Sequence, residues 1–158
     1  MNVTQLLGIV SFGVAGLLCM WVRRSPWTAL GFLSLLFCLE CVLNFRHQFH
    51  DAIIKVIGSL YLERAPYQMA LIGGGLVLGA ILIVILLRVV DDNLTRLAMA
   101  ATVAGGALFA VETISLHEVD RVLYQPVGSA KLIAWIWLGL SVVVGSAAVI
   151  SRLRQRDS

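Results

Sequence analysis

The chain has 158 residues, 59% of them hydrophobic and 13% charged, with a net charge of +3. Soluble domains usually carry about 25% charged and about 45–50% apolar residues, and a soluble chain this short cannot hide so much apolar surface. Lipid is therefore the expected solvent for most of it, and the small net charge needs no nucleic-acid partner, since basic residues facing anionic lipid account for it.

A bilayer-spanning helix needs about 20 predominantly apolar residues. Five runs meet that length, at 3–22, 27–45, 66–87, 97–116 and 132–150. Backbone groups in lipid must bond internally, so these runs are expected to be helices, and the absence of apolar–polar alternation argues against a membrane barrel. The fold class expected is an all-α integral membrane protein, one transmembrane domain over 1–158. The first run has no positive flank before it and no small-residue cleavage site after it, so it reads as a retained helix rather than a signal peptide.

The connections sort by length and charge. The short pieces 23–26, 88–96 and 151–158 hold seven arginines: Arg23, Arg24, Arg88, Arg96, Arg152, Arg154 and Arg156. The longer loops near 46–65 and 117–131 hold Arg46, Lys55, Arg64, Arg121 and Lys131. Lys and Arg in short loops favour the cytoplasmic side, so the N-terminus is expected outside and the C-terminus inside, in a bacterial cytoplasmic (inner) membrane. The longer loops carry helical signals: an apolar stripe over 51–63 suited to the membrane surface, and 117–125, which reads as two further turns of helix four before Pro126.

The segment ECVLNFRHQFHD, 40–51, gathers Glu40, His47, His50 and Asp51 at the outer end of helix two. On a continuous helix Glu40, Asn44, His47 and Asp51 share one stripe. Helix four ends in a parallel way, with Glu112, His117 and Asp120; Thr113, His117, Asp120 and Tyr124 share a stripe there, and Glu112 points about 80° away from Asp120. Each outer loop then offers a Tyr before a Pro, Tyr61 with Pro66 and Tyr124 with Pro126. This suggests a loose repeat of 27–90 in 97–150, although any membrane hairpin places polar residues at helix ends and Pro in loops.

Ionisable residues in membrane helices are costly and mark candidate sites. Glu40, His47, His50, Glu112, His117 and Asp120 are the expected site residues, at the extracytoplasmic face. Three chemistries fit these residue types. Imidazole and carboxylate bind divalent metals. His47 and His117, from different helices, suit the axial positions of a haem b. Two acids at one depth raise one another's pKa and can relay a proton. The competing expectation is a non-catalytic membrane subunit or scaffold, in which the same residues make interfacial salt bridges. The soluble di-iron pattern, Glu-x-x-His on two helices, is absent, as are phosphate loops, the His-Glu-x-x-His zinc motif and the nucleophile elbow, so no enzyme chemistry is indicated.

Cys38 and Cys41 form a CxxC inside an apolar helix, where thiolates are disfavoured, so they read as small buried hydrophobes rather than a redox pair. Small residues at Gly75 and Gly79, at Ala98, Thr102, Gly106 and Ala110, and at 145–148 mark expected helix contacts, within the chain or toward a membrane-protein partner or second copy. Trp21, Trp27, Trp135 and Trp137 are expected as interfacial anchors or parts of helix five.

Overall fold

The computed structural model describes residues 2–45, 48, 51, 61–114 and 117–156. In chain order these form α1 (Val3–Val22), α2 (Ser25–Leu43), α3 (Tyr61–Val89), α4 (Asn93–Ile114), α5 (His117–Leu123), the two-residue strands β1 (Pro126–Val127) and β2 (Ala130–Lys131), and α6 (Leu132–Arg154). The protein is an all-α membrane protein. Among the described residues four helices, α1, α2, α4 and α6, are long and apolar enough to cross a membrane, and their outward leucines, valines and phenylalanines give them the surface that lipid requires.

Those four helices form a ring in which α1 packs on α2 and α6, and α4 packs on α2 and α6. Contact pairs set the directions. Gly8 lies against Cys41 and Gly16 against Gly31, so α1 and α2 are antiparallel. Gly8 also meets Trp137, and Gly145 meets Leu18, so α1 and α6 run together. Phe37 stacks on Phe109, and Arg24 shares a pocket with Asp92, so α2 and α4 also run together. One end of the bundle therefore gathers the start of α1, residues 41–44, 112–114 and 117–131; the opposite end gathers Arg23, Arg24, Asp92 and the arginines of 152–156.

α1 begins at a reciprocal cap in which the Gln5 amide donates to Asn2 Oδ1 (2.8 Å) and the Asn2 amide donates to Gln5 Oε1 (3.1 Å). It ends at Arg23, in the left-handed region at φ 59°, and Pro26 in the first turn of α2 fits a position whose N–H has no helical partner. α4 starts four residues before its expected boundary because Asp92 caps it: the Thr95 amide donates to Asp92 Oδ2 (2.9 Å), as does the Thr95 hydroxyl.

Partial burial opposes ionisation of Asp92, but the Thr95 hydrogen bonds, the Leu94 amide and the Arg154 charge outweigh it and hold the carboxyl below its ordinary value. Asp92→Ala is expected to cost about 1 kcal/mol, read by denaturant titration in detergent. Because the folded pKa is the lower one, that stabilisation is complete above the unfolded value of about 3.9 and is lost as pH falls through the folded value. The gap between wild type and variant therefore closes only in acid.

α3 packs on α4 alone among the ring helices as a substantial contact, and α2 does not pair with α3 as α4 pairs with α6. The α3 glycines differ from expectation: a Cβ added at Gly73, Gly74, Gly75 or Gly79 meets no described residue within 4 Å. The close crossings are instead at Gly8, Gly16 and Gly31, whose neighbours approach too nearly for a side chain. In α4 and α6 the expectation is met in part: Ala98, Thr102, Gly145, Ala147 and Ala148 are buried, Gly106 is half-buried, and Ala110 and Ser146 are exposed.

Trp27 and Trp137 are core residues, 2% and 1% exposed, whereas Trp21 and Trp135 are 39% and 41% exposed and alone fit the anchor role.

Candidate functional site

Four aromatic rings, one from each ring helix, form a layer across the bundle. Phe37 of α2 stacks on Phe109 of α4 with centroids 4.9 Å apart, and Phe109 stacks on Trp137 of α6 at 5.4 Å. Phe12 of α1 lies 5.4 Å from Phe37 and 5.6 Å from Phe109. These separations are those of favourable aromatic pairs. Three residues beyond Phe37 is Glu40, and three beyond Phe109 is Glu112. Because α2 and α4 run together, both acids stand about one turn past the layer on the same side of it. That α2 and α4 are neighbours is a finding that no spacing in the sequence reveals.

Glu112 is 3% exposed. The Tyr124 hydroxyl donates to its Oε1 at 2.9 Å. This bond carries information about the chain between them: on an unbroken helix twelve residues rise about 18 Å, far beyond the reach of a tyrosine. A straight continuation of helix four through 125 is therefore excluded, and α5 turns so that Tyr124 comes back to the end of α4.

The turn is held in place by several contacts. Leu132 donates its amide to the Gln125 carbonyl (2.9 Å), and β1 pairs antiparallel with β2 through Val127 and Ala130. Gly128 supplies the positive φ, 64°, that a two-residue hairpin loop requires. The indole of Trp135 donates to the Val127 carbonyl at 2.9 Å, and the Lys131 amide donates to Thr4 Oγ1 at 3.1 Å, tying the hairpin to the start of α1. Lys131 Nζ lies 4.2 Å from the Tyr124 ring centroid, a cation–π distance, so a positive charge stands on the ring whose hydroxyl meets Glu112. Asp120, on α5, is half-buried with one carboxylate oxygen shielded from solvent.

On the other side of the aromatic layer is a cavity of about 10 Å³, bounded by Ser34, Thr102 and Ser141 together with Phe37 and Gly105. It is at the lower limit for one water molecule. The Thr102 hydroxyl donates to the Ala98 carbonyl (2.8 Å), while Ser141 Oγ is buried without a hydrogen-bond partner among the described residues.

The sequence-predicted site residues separate into groups. Glu112 and Asp120 belong to the loop-bearing end, and Glu40 is half-buried at the same end. His117 begins α5, with its side chain outside the described residues, and His47 and His50 lie outside them altogether. Among the described residues no group of three or more His, Cys, Asp and Glu could hold a metal.

The continuous ladder expected from Glu40 to Asp51 is not formed. α2 ends at Leu43, and Asn44 adopts the left-handed conformation, φ 53°, donating its amide to the Glu40 carbonyl. Helical phase does not carry through a left-handed residue. Asn tolerates that region better than most residues, so the break had a sequence signal.

The residues that spacing missed are Tyr124 as the partner of Glu112, Lys131 on its ring, and the aromatic layer beneath. Cys38 donates its thiol to the Ile9 carbonyl (3.4 Å), and Cys41 is 1% exposed against Gly8. Neither cysteine forms a disulfide, and both serve the α1–α2 contact.

Comparison with protein-family models, with curated proteins and with solved structures finds no match.

Proposed function

We propose that this chain is a five-span protein of a bacterial cytoplasmic membrane, N-terminus outside and C-terminus inside, that holds and relays a proton at its outer face around Glu112. The observation that carries the reading is the Glu112–Tyr124 bond: a carboxyl group 3% exposed in an apolar bundle, with a hydroxyl at 2.9 Å. A buried acid in lipid is retained at a cost of several kcal/mol unless it is paired or protonated. Glu112 has a hydroxyl that can donate to its charged form and, through rotation, accept from its neutral form.

Glu40, Asp120 and the three histidines complete the proposed site as proton carriers between Glu112 and water. The aromatic layer acts as the gate, since it separates Glu112 from the Ser34–Thr102–Ser141 cavity.

The orientation is supported by the seven arginines of the short connections. The fifth span is supported by direction: α2 and α4 run together, so the chain between them must return across the bilayer, and the 29 residues of α3 reach about 43 Å.

The test is proton flux in proteoliposomes under a potassium-diffusion potential, with a pH dye inside. Glu112→Gln should lower flux at least about tenfold, and Tyr124→Phe should lower it less. Phe109→Ala, which opens the gate, should raise the leak. Flux unchanged by Glu112→Gln sinks the proposal. The same preparation reports on the alternative chemistry: stoichiometric metal or a haem absorption band, lost on His47→Ala with His117→Ala, would replace proton relay with metal or haem binding.

A further inference from the structure

We propose that the arginine-bearing end of the bundle holds the headgroup of one anionic phospholipid between Arg24 and Arg154. This site lies at the opposite end from Glu112 and does not depend on the reading of that residue. The start of α2, the start of α4 and the end of α6 converge there on a pocket of about 160 Å³, lined by Arg24, Asp92, Leu94, Ser151, Arg154 and Gln155. At about 30 Å³ per water, that is room for roughly five waters, enough for a phosphate group and the carbons attached to it.

The charge balance favours an anion. Neither Arg24 nor Arg154 makes a side-chain hydrogen bond or ion pair with a described residue, although Arg154 is near enough to act on the Asp92 carboxyl. Asp92, the one acid among the described residues that line the pocket, turns Oδ2 to Thr95 to cap α4, leaving among them two guanidinium forks against one carboxylate. Guanidinium forks bind phosphate oxygens two at a time. Beside the pocket, the guanidinium carbons of Arg152 and Arg156 lie 5.7 and 5.8 Å from the Trp21 ring centroid, adding two charges. Arg152 also keeps a buried Nε without a partner among the described residues.

A lipid source follows from position. Trp21 is 39% exposed at the end of a lipid-facing helix, where aromatic residues sit at headgroup level. Leu94 gives the pocket an apolar wall. Basic pockets at this depth concentrate acidic headgroups at about 1 kcal/mol per arginine, equivalent to a preference of about fivefold.

The experiment uses the full chain in nanodiscs and compares spin-labelled phosphatidylglycerol with spin-labelled phosphatidylcholine, reading the immobilised fraction of each. Wild type should prefer phosphatidylglycerol by about fivefold or more. Arg24→Gln with Arg154→Gln should remove most of that preference. Arg23→Gln with Arg88→Gln, an equal loss of charge at the same end but outside the pocket, should leave most of it. Arg24→Gln alone, at an exposed position, should give an intermediate loss and serves if the double variant does not fold.

Equal losses in the two double variants would overturn the pocket in favour of diffuse attraction. Displacement of the labelled lipid by millimolar inorganic phosphate, with chloride ineffective at the same ionic strength, would overturn the lipid assignment in favour of a soluble anion. Absence of any phosphatidylglycerol preference overturns the proposal outright.

Discussion

Gly16→Leu is expected to be the most damaging single substitution in the bundle, costing about 3 kcal/mol or more. A Cβ at Gly16 would stand 2.9 Å from Leu35 Cγ and 3.2 Å from the Gly31 carbonyl oxygen; one at Gly31 would stand 2.8 Å from Met20 Cγ and 3.1 Å from the Gly16 carbonyl oxygen. The two glycines thus face each other across the α1–α2 crossing, and the obstruction includes backbone, which cannot rotate aside. Leucine there must push α1 from α2 along much of their length, because cores shift between discrete packings rather than yielding locally. In lipid, where helices associate by close packing rather than by exclusion of water, that separation removes the main attraction. Reversible SDS titration followed by tryptophan fluorescence measures it. Gly79→Leu is the control: nothing lies within 4 Å of its Cβ position, and a shift within about 0.5 kcal/mol is expected. Equal effects at the two positions would refute the crossing.

Trp137→Ala is expected to cost about 3 kcal/mol, the low end of the range of about 3–5 for losing a buried aromatic from a water-surrounded core. The low end applies because separated membrane helices expose the ring to acyl chains as apolar as the core, so mainly packing is lost. Trp137 is 1% exposed, stacks on Phe109 at 5.4 Å and touches the Gly8 position. It therefore joins α6 to both α1 and α4. Trp135→Ala, two residues earlier, removes a 41% exposed ring and one hydrogen bond to the Val127 carbonyl, and should cost about 1 kcal/mol. A Trp135→Ala effect as large as that of Trp137→Ala would mean that the aromatic layer does not hold the bundle.

The membrane class and four of the helices were legible because lipid imposes one length and one polarity on whatever crosses it; α1 at Val3–Val22 is the plainest case. The grouping of arginines at one end was legible for the same reason, since short connections leave few places for charge. What periodicity could not reach was the contact between helices. Phe12, Phe37 and Phe109 are three apolar residues among many, and only the three-dimensional arrangement makes them a layer. The partners of Glu112 were missed because the sequence reading extended helix four straight, which carries Tyr124 away from the acid rather than back to it. The glycines misled in an instructive way. IGGGLVLG is conspicuous as a motif and its glycines meet no described residue within 4 Å, whereas Gly8, Gly16 and Gly31 are scattered and make the close crossings. A small residue permits approach; whether a neighbour uses it depends on which face the rest of the helix turns inward.

The directions of the ring helices have a consequence for the order in which the chain assembles. α1 and α2 are antiparallel neighbours joined by a two-residue turn at Arg23 and Arg24, so they can dock as soon as both have left the ribosome. The first two helices then wait: α2's other neighbour, α4, runs the same way and arrives only after α3. The ring stays open until α6 bridges α4 back to α1. Until then Phe12 and Phe109 lack the Trp137 ring, and the hairpin that follows Tyr124 lacks the Leu132 amide and the Trp135 indole that hold it. The ring is therefore closed by α6, and a nascent chain stalled before Leu132 would hold Glu40, Glu112 and Asp120 without the helix that encloses them.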